Sequence, residues 1–249
     1  MRAAELQEMY DLEESYWWFV GRRRLVADLI RRYSPAPEPR ILDVGCGSGG
    51  TLLAVQGLGQ VAGCDLSPHA LELCRQRKLK GLVAASADAL GFSNESMEVV
   101  LGCDVLEHVE DDQEALAEMW RVLKPGGVLI ATLPAYPWLW SSHDEILGHW
   151  RRYRRREVKA KLQEAGFRVE LLTYAVSAVL PAILAVRLAE RIRHKPTRPG
   201  QSGLIVLPPP LNRVLIGLLD LERRLIPRTG LPWGSSLVVV GRKVVSGDS

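Results

Sequence analysis

Short apolar runs alternate with helical patterns along most of the chain. Runs of strand length occur at residues 40–44, 60–65, 82–85, 97–102 and 128–133. Apolar residues recur at helical spacing at residues 50–56, 68–77 and 113–123, and a helix at 156–165 precedes strands at 167–173 and 236–244. Strands that alternate with helices form parallel sheets covered on both faces. The pattern therefore predicts a doubly wound, mostly parallel α/β sheet of seven strands.

Two segments lie outside this alternation. The first 39 residues contain two helical patterns, at 4–16 and 20–33, which end before alternating prolines at 35, 37 and 39. A second segment of about 60 residues precedes the last strand, and a stretch of that length rarely forms a core of its own. We therefore predict an N-terminal helical lid (1–39), a main domain (40–174 with 235–245) and an inserted C-terminal helical cap (175–234).

Composition is that of an ordinary globular protein, with 249 residues of which 47% are hydrophobic and 24% charged. The four cysteines show no CxxC spacing and fall in apolar stretches, which favours reduced, buried thiols and a cytoplasmic protein. The apolar run at 174–186 is too short to span a bilayer. It fits a buried cap helix, or an interfacial helix with peripheral membrane contact through residues 175–226.

The net charge of +3 conceals an uneven distribution. Residues 41–140 carry six basic and thirteen acidic side chains, whereas residues 141–249 carry nineteen basic and nine acidic ones. The middle of the chain therefore favours a cationic ligand, and the last third favours an anionic substrate or surface.

A glycine-rich segment at 45–50 follows the first predicted strand and opens a helix. Gly45, Gly47 and Gly50 satisfy the GxGxxG pattern, and Asp65 lies twenty residues beyond Gly45, as a dinucleotide site requires. Asp43 argues against a dinucleotide, because a carboxylate at this position would repel a pyrophosphate but attract a cationic amino-acid group.

Two further acids follow the next strands. Asp65 ends the second strand, where a carboxylate can accept both hydroxyls of a ribose, and Asp88 follows the third, where it could accept from an adenine amine. Acids at three successive strand ends indicate a nucleoside that carries an amino-acid cation.

With these motifs the sequence resembles the class I S-adenosylmethionine-dependent methyltransferases, in a branch of the type 11/12 kind. The elements that carry the resemblance are ILDVGCGSGG at 41–50, CDLS at 64–67, ADAL at 87–90, CDVLEHVED at 103–111 and LKPGG at 123–127. The resemblance implies a Rossmann-like sheet and S-adenosylmethionine as the cofactor.

The resemblance also implies roles for individual residues. Gly45 and Gly47 would shape the loop beside the methionine moiety, and Asp43 would orient its amino group. The remaining cofactor-binding positions are implied to be Asp65 and Leu66 for ribose and adenine, Asp88 and Ala89 for adenine, Cys103 near the sulfonium, His108 packed near the cofactor, and Trp18 with Arg22 of the lid at the methionine carboxylate.

Residues after the fourth and fifth strands are candidates for catalysis. His143 and His149 are candidate general bases, because a base is needed when the acceptor is a hydroxyl or an amine. Arg151, Arg152 and Tyr153 are candidates for binding a carboxylate or phosphate of the acceptor. The histidines share no ligand spacing with cysteines or acids, so the sequence predicts no metal site.

These observations predict methyl transfer to a small molecule, with O-methylation of an acidic or lipid-linked acceptor favoured over N- or C-methylation. A nicotinamide-dependent oxidoreductase and a non-catalytic, membrane-associated cofactor-binding protein are the alternatives. No nucleic-acid partner is expected, because the domain is only mildly basic and the charges are not accompanied by an interleaved platform of aromatic residues. The sequence leaves the acceptor, the methylated atom and the oligomeric state open.

Overall fold

The computed structural model describes residues 3–185 and 206–244. Two helices come first, α1 (Ala3–Leu12) and α2 (Trp17–Tyr33). The elements that follow are β1 (Arg40–Val44), α3 (Gly50–Val55), β2 (Gln60–Asp65), α4 (Pro68–Gln76), β3 (Leu82–Ala84), β4 (Met97–Cys103), α5 (Asp112–Val122), β5 (Leu123–Pro134), α6 (Ser142–Leu147), α7 (Arg155–Glu164), β6 (Phe167–Ala175), α8 (Pro209–Thr229) and β7 (Ser236–Lys243). Short 3-10 helices lie at Leu106–His108 and Pro137–Leu139.

The seven strands form one sheet in the order β3-β2-β1-β4-β5-β7-β6. Strands β1 to β5 pair in parallel, and β7 pairs antiparallel with both β5 and β6. This arrangement confirms the predicted mostly parallel, Rossmann-like sheet. The strand order reverses beside β1, where ligands bind in doubly wound folds.

Alternate residues of each central strand face opposite layers of the core, because side chains of a strand point to its two faces in turn. On one face Leu42 and Val100 pack in a cluster with residues of α5 and α7. On the other, Ile41 and Val99 pack in a cluster with residues of α2 and α8. Both faces are therefore covered, as the continuous apolar runs predict.

Helix α2 of the N-terminal segment packs closely against α8 of the segment before the last strand. A Cβ added at Gly21 would lie 2.3 Å from Cδ1 of Leu219, so only a glycine permits this approach. Asn212 of α8 accepts from the backbone N–H of Trp17 at 2.9 Å and donates to the carbonyl of Ser15 at 2.8 Å. The two segments thus hold each other in place.

Three predicted boundaries were wrong. The first helix ends at Leu12 and the second begins at Trp17, because Asn212, distant in sequence, accepts from the Trp17 N–H in the first turn of α2. Strand β5 begins at Leu123, which pairs with Met97 before regular pairing resumes. Helix α6 was not predicted at all; it starts at a capping box formed by Ser141 with an acid three residues later.

The bounds of the lid and of the cap stay predictions. Residues 180–185 are helical; Val179 and Leu180 are buried, and Val179 packs on the face of the sheet that α2 covers. Residues 186–205, which include the end of the apolar run, lie outside the described residues. The basic residues Arg187, Arg191, Arg193 and Lys195 are among them. Within residues 3–185 and 206–244, no helix has both the length and the apolar character needed to cross a bilayer.

Candidate active site

The carboxyl ends of the parallel strands open into a cavity of about 850 Å³. This volume lies within the range of about 300–1,000 Å³ that is usual for small-molecule sites. Its walls include one residue from the end of each of four strands, namely Asp43, Asp65, Cys103 and Pro134. The location agrees with the edge predicted from the strand order.

The glycine-rich loop adopts backbone conformations that favour glycine. Gly45 and Gly47 have φ angles of 67° and 53°, and a Cβ added at Gly45 would lie 2.6 Å from Cγ2 of Val105. The carboxylate of Asp65 accepts from the N–H of Gly47 at 2.9 Å and from that of Ser67 at 2.8 Å. A carboxylate has about four acceptor positions, so Asp65 keeps capacity for ribose hydroxyls.

Asp43 is a buried carboxylate at the centre of this end of the cavity. It is 2% exposed, and its Oδ2 has no hydrogen-bond partner among the described residues. Burial raises the pKa of Asp43 to about 7; the Arg22 guanidinium opposes this rise, and the charges of Asp65 and Glu13 add to it. An unpartnered carboxylate in an acidic surrounding is suited to a cationic ligand group.

Arg22 projects from α2 into the same region. Its guanidinium forms an ion pair with Asp104 and lies 4.5 Å from the centre of the Trp18 ring. Although burial disfavours the charged form, Asp104 raises the pKa of Arg22. Both Trp18 and Arg22 line the cavity, as the expected contact with a methionine carboxylate requires. In this structure the guanidinium of Arg22 is instead paired with Asp104, and the sequence analysis did not predict this ion pair.

The expected nucleoside positions are largely brought together. Asp65, Leu66 and Asp88 all line the cavity, and Leu66 is 71% exposed, which leaves an apolar surface open to a base. Ala89 is not part of the wall; the neighbouring Ala87 takes that place. This corrects the expectation for Ala89, whose N–H instead closes a turn with the carbonyl of Ser86.

The end of α1 and the turn after it close over the glycine-rich loop. Glu13 is buried and pairs with Arg77 at 2.7 Å. A Cβ added at Gly50 would lie 2.1 Å from Oε2 of Glu13, so the carboxylate rests directly on the loop. Burial raises the pKa of Glu13, an effect that the side chain of Ser48 and the charge of Arg77 oppose. Sequence reasoning missed Glu13, because its partners are distant in the chain.

Three histidines line the opposite end of the cavity, namely His108, His143 and His149. Nδ1 of His149 lies 3.0 Å from Oδ1 of Asp144, and Nε of Arg152 donates to the same oxygen at 2.8 Å. Although burial opposes ionisation, these partners hold the pKa of Asp144 well below its ordinary value. An ionised carboxylate only accepts, so Nδ1 of neutral His149 carries the proton and Nε2 keeps its lone pair.

The three residues predicted to bind the acceptor separate in the structure. Arg152 lines the cavity and also donates to the carbonyl of Ala135 at 3.2 Å. Arg151 lies outside the cavity wall and forms an ion pair with Asp112 at 3.2 Å. Tyr153 is 1% exposed, and its hydroxyl donates to Asp112 at 2.9 Å. The expectation for Tyr153 is therefore corrected, since its ring belongs to the core.

The structure adds Glu107 to the histidine end of the cavity. Glu107 is 1% exposed, its Oε2 has no hydrogen-bond partner among the described residues, and burial raises its pKa, with the charge of Asp104 adding to the rise. The rings of His108 and His149 meet edge to face with centroids 4.6 Å apart. Burial, and next the neighbouring His149, lower the pKa of His108 to about 4. Sequence spacing gave no sign that these three residues meet.

The fold and the acidic, glycine-lined end of the cavity define a class I S-adenosylmethionine-dependent methyltransferase domain. Residues 42–131 match the family described as a methyltransferase domain.

Similar proteins agree on this class. The chain is 34% identical over 110 residues to a ubiquinone biosynthesis O-methyltransferase of Mesorhizobium japonicum, which covers 41% of this chain and 44% of that protein. It is 36% identical over 118 residues to a demethylmenaquinone methyltransferase of Renibacterium salmoninarum, covering 46% and 48%. The chain thus matches less than half the length of either relative.

A solved structure shares the fold over nearly the whole chain. It comes from the complex of the Haloferax volcanii Trm112 methyltransferase activator with a methyltransferase. The TM-score is 0.63 at 19% identity, and the match covers 99% of this chain and 96% of that one. At this identity the likeness concerns the fold alone.

Proposed function

We propose that the protein transfers the methyl group of S-adenosylmethionine to a hydroxyl oxygen of a small acidic or lipid-linked molecule. The observation that carries the proposal is the buried, unpartnered Oδ2 of Asp43 beside the glycine-rich loop. An amino-acid ammonium group would satisfy this oxygen, and the loop and Asp65 offer the neighbouring space and acceptors for a nucleoside. A pyrophosphate in this position would face three acids at strand ends.

The residues present fit the cofactor. Gly45 and Gly47 line the cavity, Asp65 keeps acceptor capacity, and Leu66 offers an apolar face. When bound, the sulfonium supplies an activated methyl group. The protein then has to hold the acceptor in line with that group and to accept a proton from its hydroxyl.

Three histidines line the acceptor end, and proton removal falls to one of two of them, His143 or His149. Asp144 orients His149 through Nδ1, which leaves Nε2 as the accepting nitrogen. His143, in α6, also lines the cavity. With donor and acceptor bound, this histidine would accept the hydroxyl proton as the acceptor oxygen takes the methyl group, and the neutral thioether would be the leaving group.

Two observations favour an acidic or lipid-linked acceptor that is methylated on oxygen. Arg152 places a positive charge on the cavity wall, which suits an acidic or phosphorylated acceptor. The similar Mesorhizobium protein is named an O-methyltransferase of ubiquinone biosynthesis, so ubiquinone precursors that carry a hydroxyl and a lipid chain are the first acceptors to test.

The test incubates the protein with methyl-labelled S-adenosylmethionine and a panel of hydroxylated aromatic acids, with and without isoprenoid chains. Mass spectrometry of the products identifies the methylated atom. We expect a methyl ether, about 100-fold slower turnover in His143→Gln or His149→Gln, and unchanged turnover in the control His69→Gln on α4. Products methylated on nitrogen or carbon would refute the choice of atom, and failure to bind S-adenosylmethionine would refute the proposal itself.

A lipid-linked acceptor also accords with the outer surface of α8. Four exposed apolar residues recur along one side of this helix, namely Leu211, Val214, Leu221 and Leu225. Arg213 and Arg224 are exposed on the same helix. An apolar stripe with arginines beside it is typical of helices that lie on anionic membranes, and we propose that α8 makes such a peripheral contact.

Cosedimentation with vesicles tests this contact. We expect binding to vesicles of anionic lipid and little binding to neutral phosphatidylcholine. Leu221→Glu should abolish the binding, whereas the matched control Gln163→Glu, which adds the same charge on α7, should retain it. Equal binding by the two variants would show that α8 is not the contact.

A further inference from the structure

The acceptor end of the cavity contains a cluster of side chains of which the proposed methyl transfer uses only His149, and a metal bound at that histidine would leave His143 as the base. One ligand-type atom from each of Glu107, His108 and His149 lies within 4.8 Å of the others. Two imidazoles and one carboxylate are a common ligand set for divalent transition metals.

The carboxylate of this cluster is buried, and one of its oxygens lacks the hydrogen bond that buried carboxylates usually have. Glu107 is 1% exposed, and its Oε2 has no hydrogen-bond partner among the described residues. An unpartnered carboxylate oxygen inside a protein is costly unless a cation or a donor meets it. Two guanidinium groups act on Glu107, those of Arg22 and Arg152. Arg22 is paired with Asp104, and Arg152 is paired with Asp144 and the carbonyl of Ala135.

The two imidazoles are held as metal-binding histidines are held. Nδ1 of His149 bonds to the ionised carboxylate of Asp144, and the backbone of Gly148 acts on the ring of His108. Metal ligands of this type almost always donate their second ring nitrogen to a carboxylate or a carbonyl. The ring of His149 is therefore oriented by one nitrogen and has the other for a metal.

We propose that Glu107, His108 and His149 bind a divalent cation of the zinc class. Three protein ligands leave at least one coordination position open toward the cavity. Ligand atoms around tetrahedral zinc lie about 3.4 Å apart, given bonds of about 2.1 Å. Binding would have to draw the most distant pair of ligand atoms together by up to about 1.4 Å. Mixed nitrogen and oxygen ligation favours Zn²⁺, Fe²⁺, Co²⁺ or Mn²⁺ over Mg²⁺.

This proposal stands apart from the proposed function, because cation binding can be measured without a methyl donor. Zn²⁺ is titrated into the metal-free full chain by calorimetry, and bound metal is counted after dialysis. We expect one Zn²⁺ per chain and a higher melting temperature with Zn²⁺ present. Mg²⁺ at the same concentration should produce neither effect.

Two variants and one control locate the ion. Glu107→Gln and His149→Gln should each weaken Zn²⁺ binding at least tenfold, whereas the matched control His69→Gln, on α4, should bind as the wild type does. Circular dichroism and a cooperative melting curve establish that each variant is folded. If one variant does not fold, the other decides.

Absence of stoichiometric Zn²⁺ binding by the wild type would overturn the proposal, as would equal affinity in all four proteins. A chain that binds Zn²⁺ at this cluster but transfers no methyl group would support the site and refute the proposed function. A chain that transfers methyl groups but binds no Zn²⁺ would do the reverse.

Discussion

The charge of Asp43 should lower the free energy of unfolding of the cofactor-free protein and should raise its affinity for the cofactor. The ordinary pKa of an aspartate is 3.8, and burial raises that of Asp43 to about 7. The folded state therefore bears the cost of a buried charge above pH 7. A pKa difference of about three, at ~1.4 kcal/mol for each pKa unit, makes this cost about 4 kcal/mol at most.

Asp43→Asn removes the charge while keeping the shape of the side chain. The unmade hydrogen bonds of the new amide cost about 1–3 kcal/mol. We therefore expect a rise of about 1–3 kcal/mol in the free energy of unfolding of the cofactor-free variant at pH 8. As the pH falls below 7, the wild-type carboxylate takes up a proton in the folded state. The advantage of the variant should then shrink and disappear between about pH 4.5 and 6, where the remaining cost of the charge equals that of the unmade amide hydrogen bonds, and it should reverse at lower pH.

Urea denaturation at pH 8, 7, 6 and 5 measures this difference, and calorimetry with S-adenosylmethionine at pH 8 measures binding. Loss of one charge-assisted contact, worth about 1.5–3 kcal/mol, should weaken binding about 10- to 150-fold. Arg22, Asp65 and Glu13 are the charged groups that act on Asp43, and all three are unchanged in the variant. A stability difference that does not vary with pH, or full affinity in the variant, would refute the reasoning.

Three further substitutions separate structural from functional roles. Gly45→Ala and its control Gly91→Ala both place a side chain at a φ of 67°, but only the side chain at position 45 creates a clash. Gly45→Ala should therefore be about 1–3 kcal/mol less stable than Gly91→Ala and should lose most of its cofactor affinity. Denaturation and binding assays on the two variants measure both effects. Arg77→Met leaves the buried carboxylate of Glu13 unpaired and should lower the free energy of unfolding by about 3 kcal/mol. The control Arg75→Met, at an exposed position, should lower it by about 0.5 kcal/mol or less. Urea denaturation measures both values. Tyr153→Phe should cost about 1–2 kcal/mol of stability with turnover per folded molecule unchanged; a selective loss of turnover would restore it as an acceptor-binding residue.

Local patterns in the sequence were sufficient for the sheet and for one end of the cavity. Strand and helix periodicity reflects which residues face the core, and the seven strands formed as expected. The glycine-rich loop and the acids at strand ends were also predictable. Parallel strands bring their carboxyl ends to one edge, so Asp43 and Asp65 must meet there whatever the rest of the chain does.

The acceptor end and the closure of the lid depended on tertiary structure. Arg22 pairs with Asp104 across 82 positions, and Trp17 is capped by Asn212 across 195. Such pairs form only after helices have packed, and no local periodicity encodes which side chains then face each other. The same holds for Glu107 and His149, which lie on segments after different strands and meet because α6 returns the chain to the end of β4. The sequence determined the cofactor end, because regular elements place it; packing between distant segments decided the remainder.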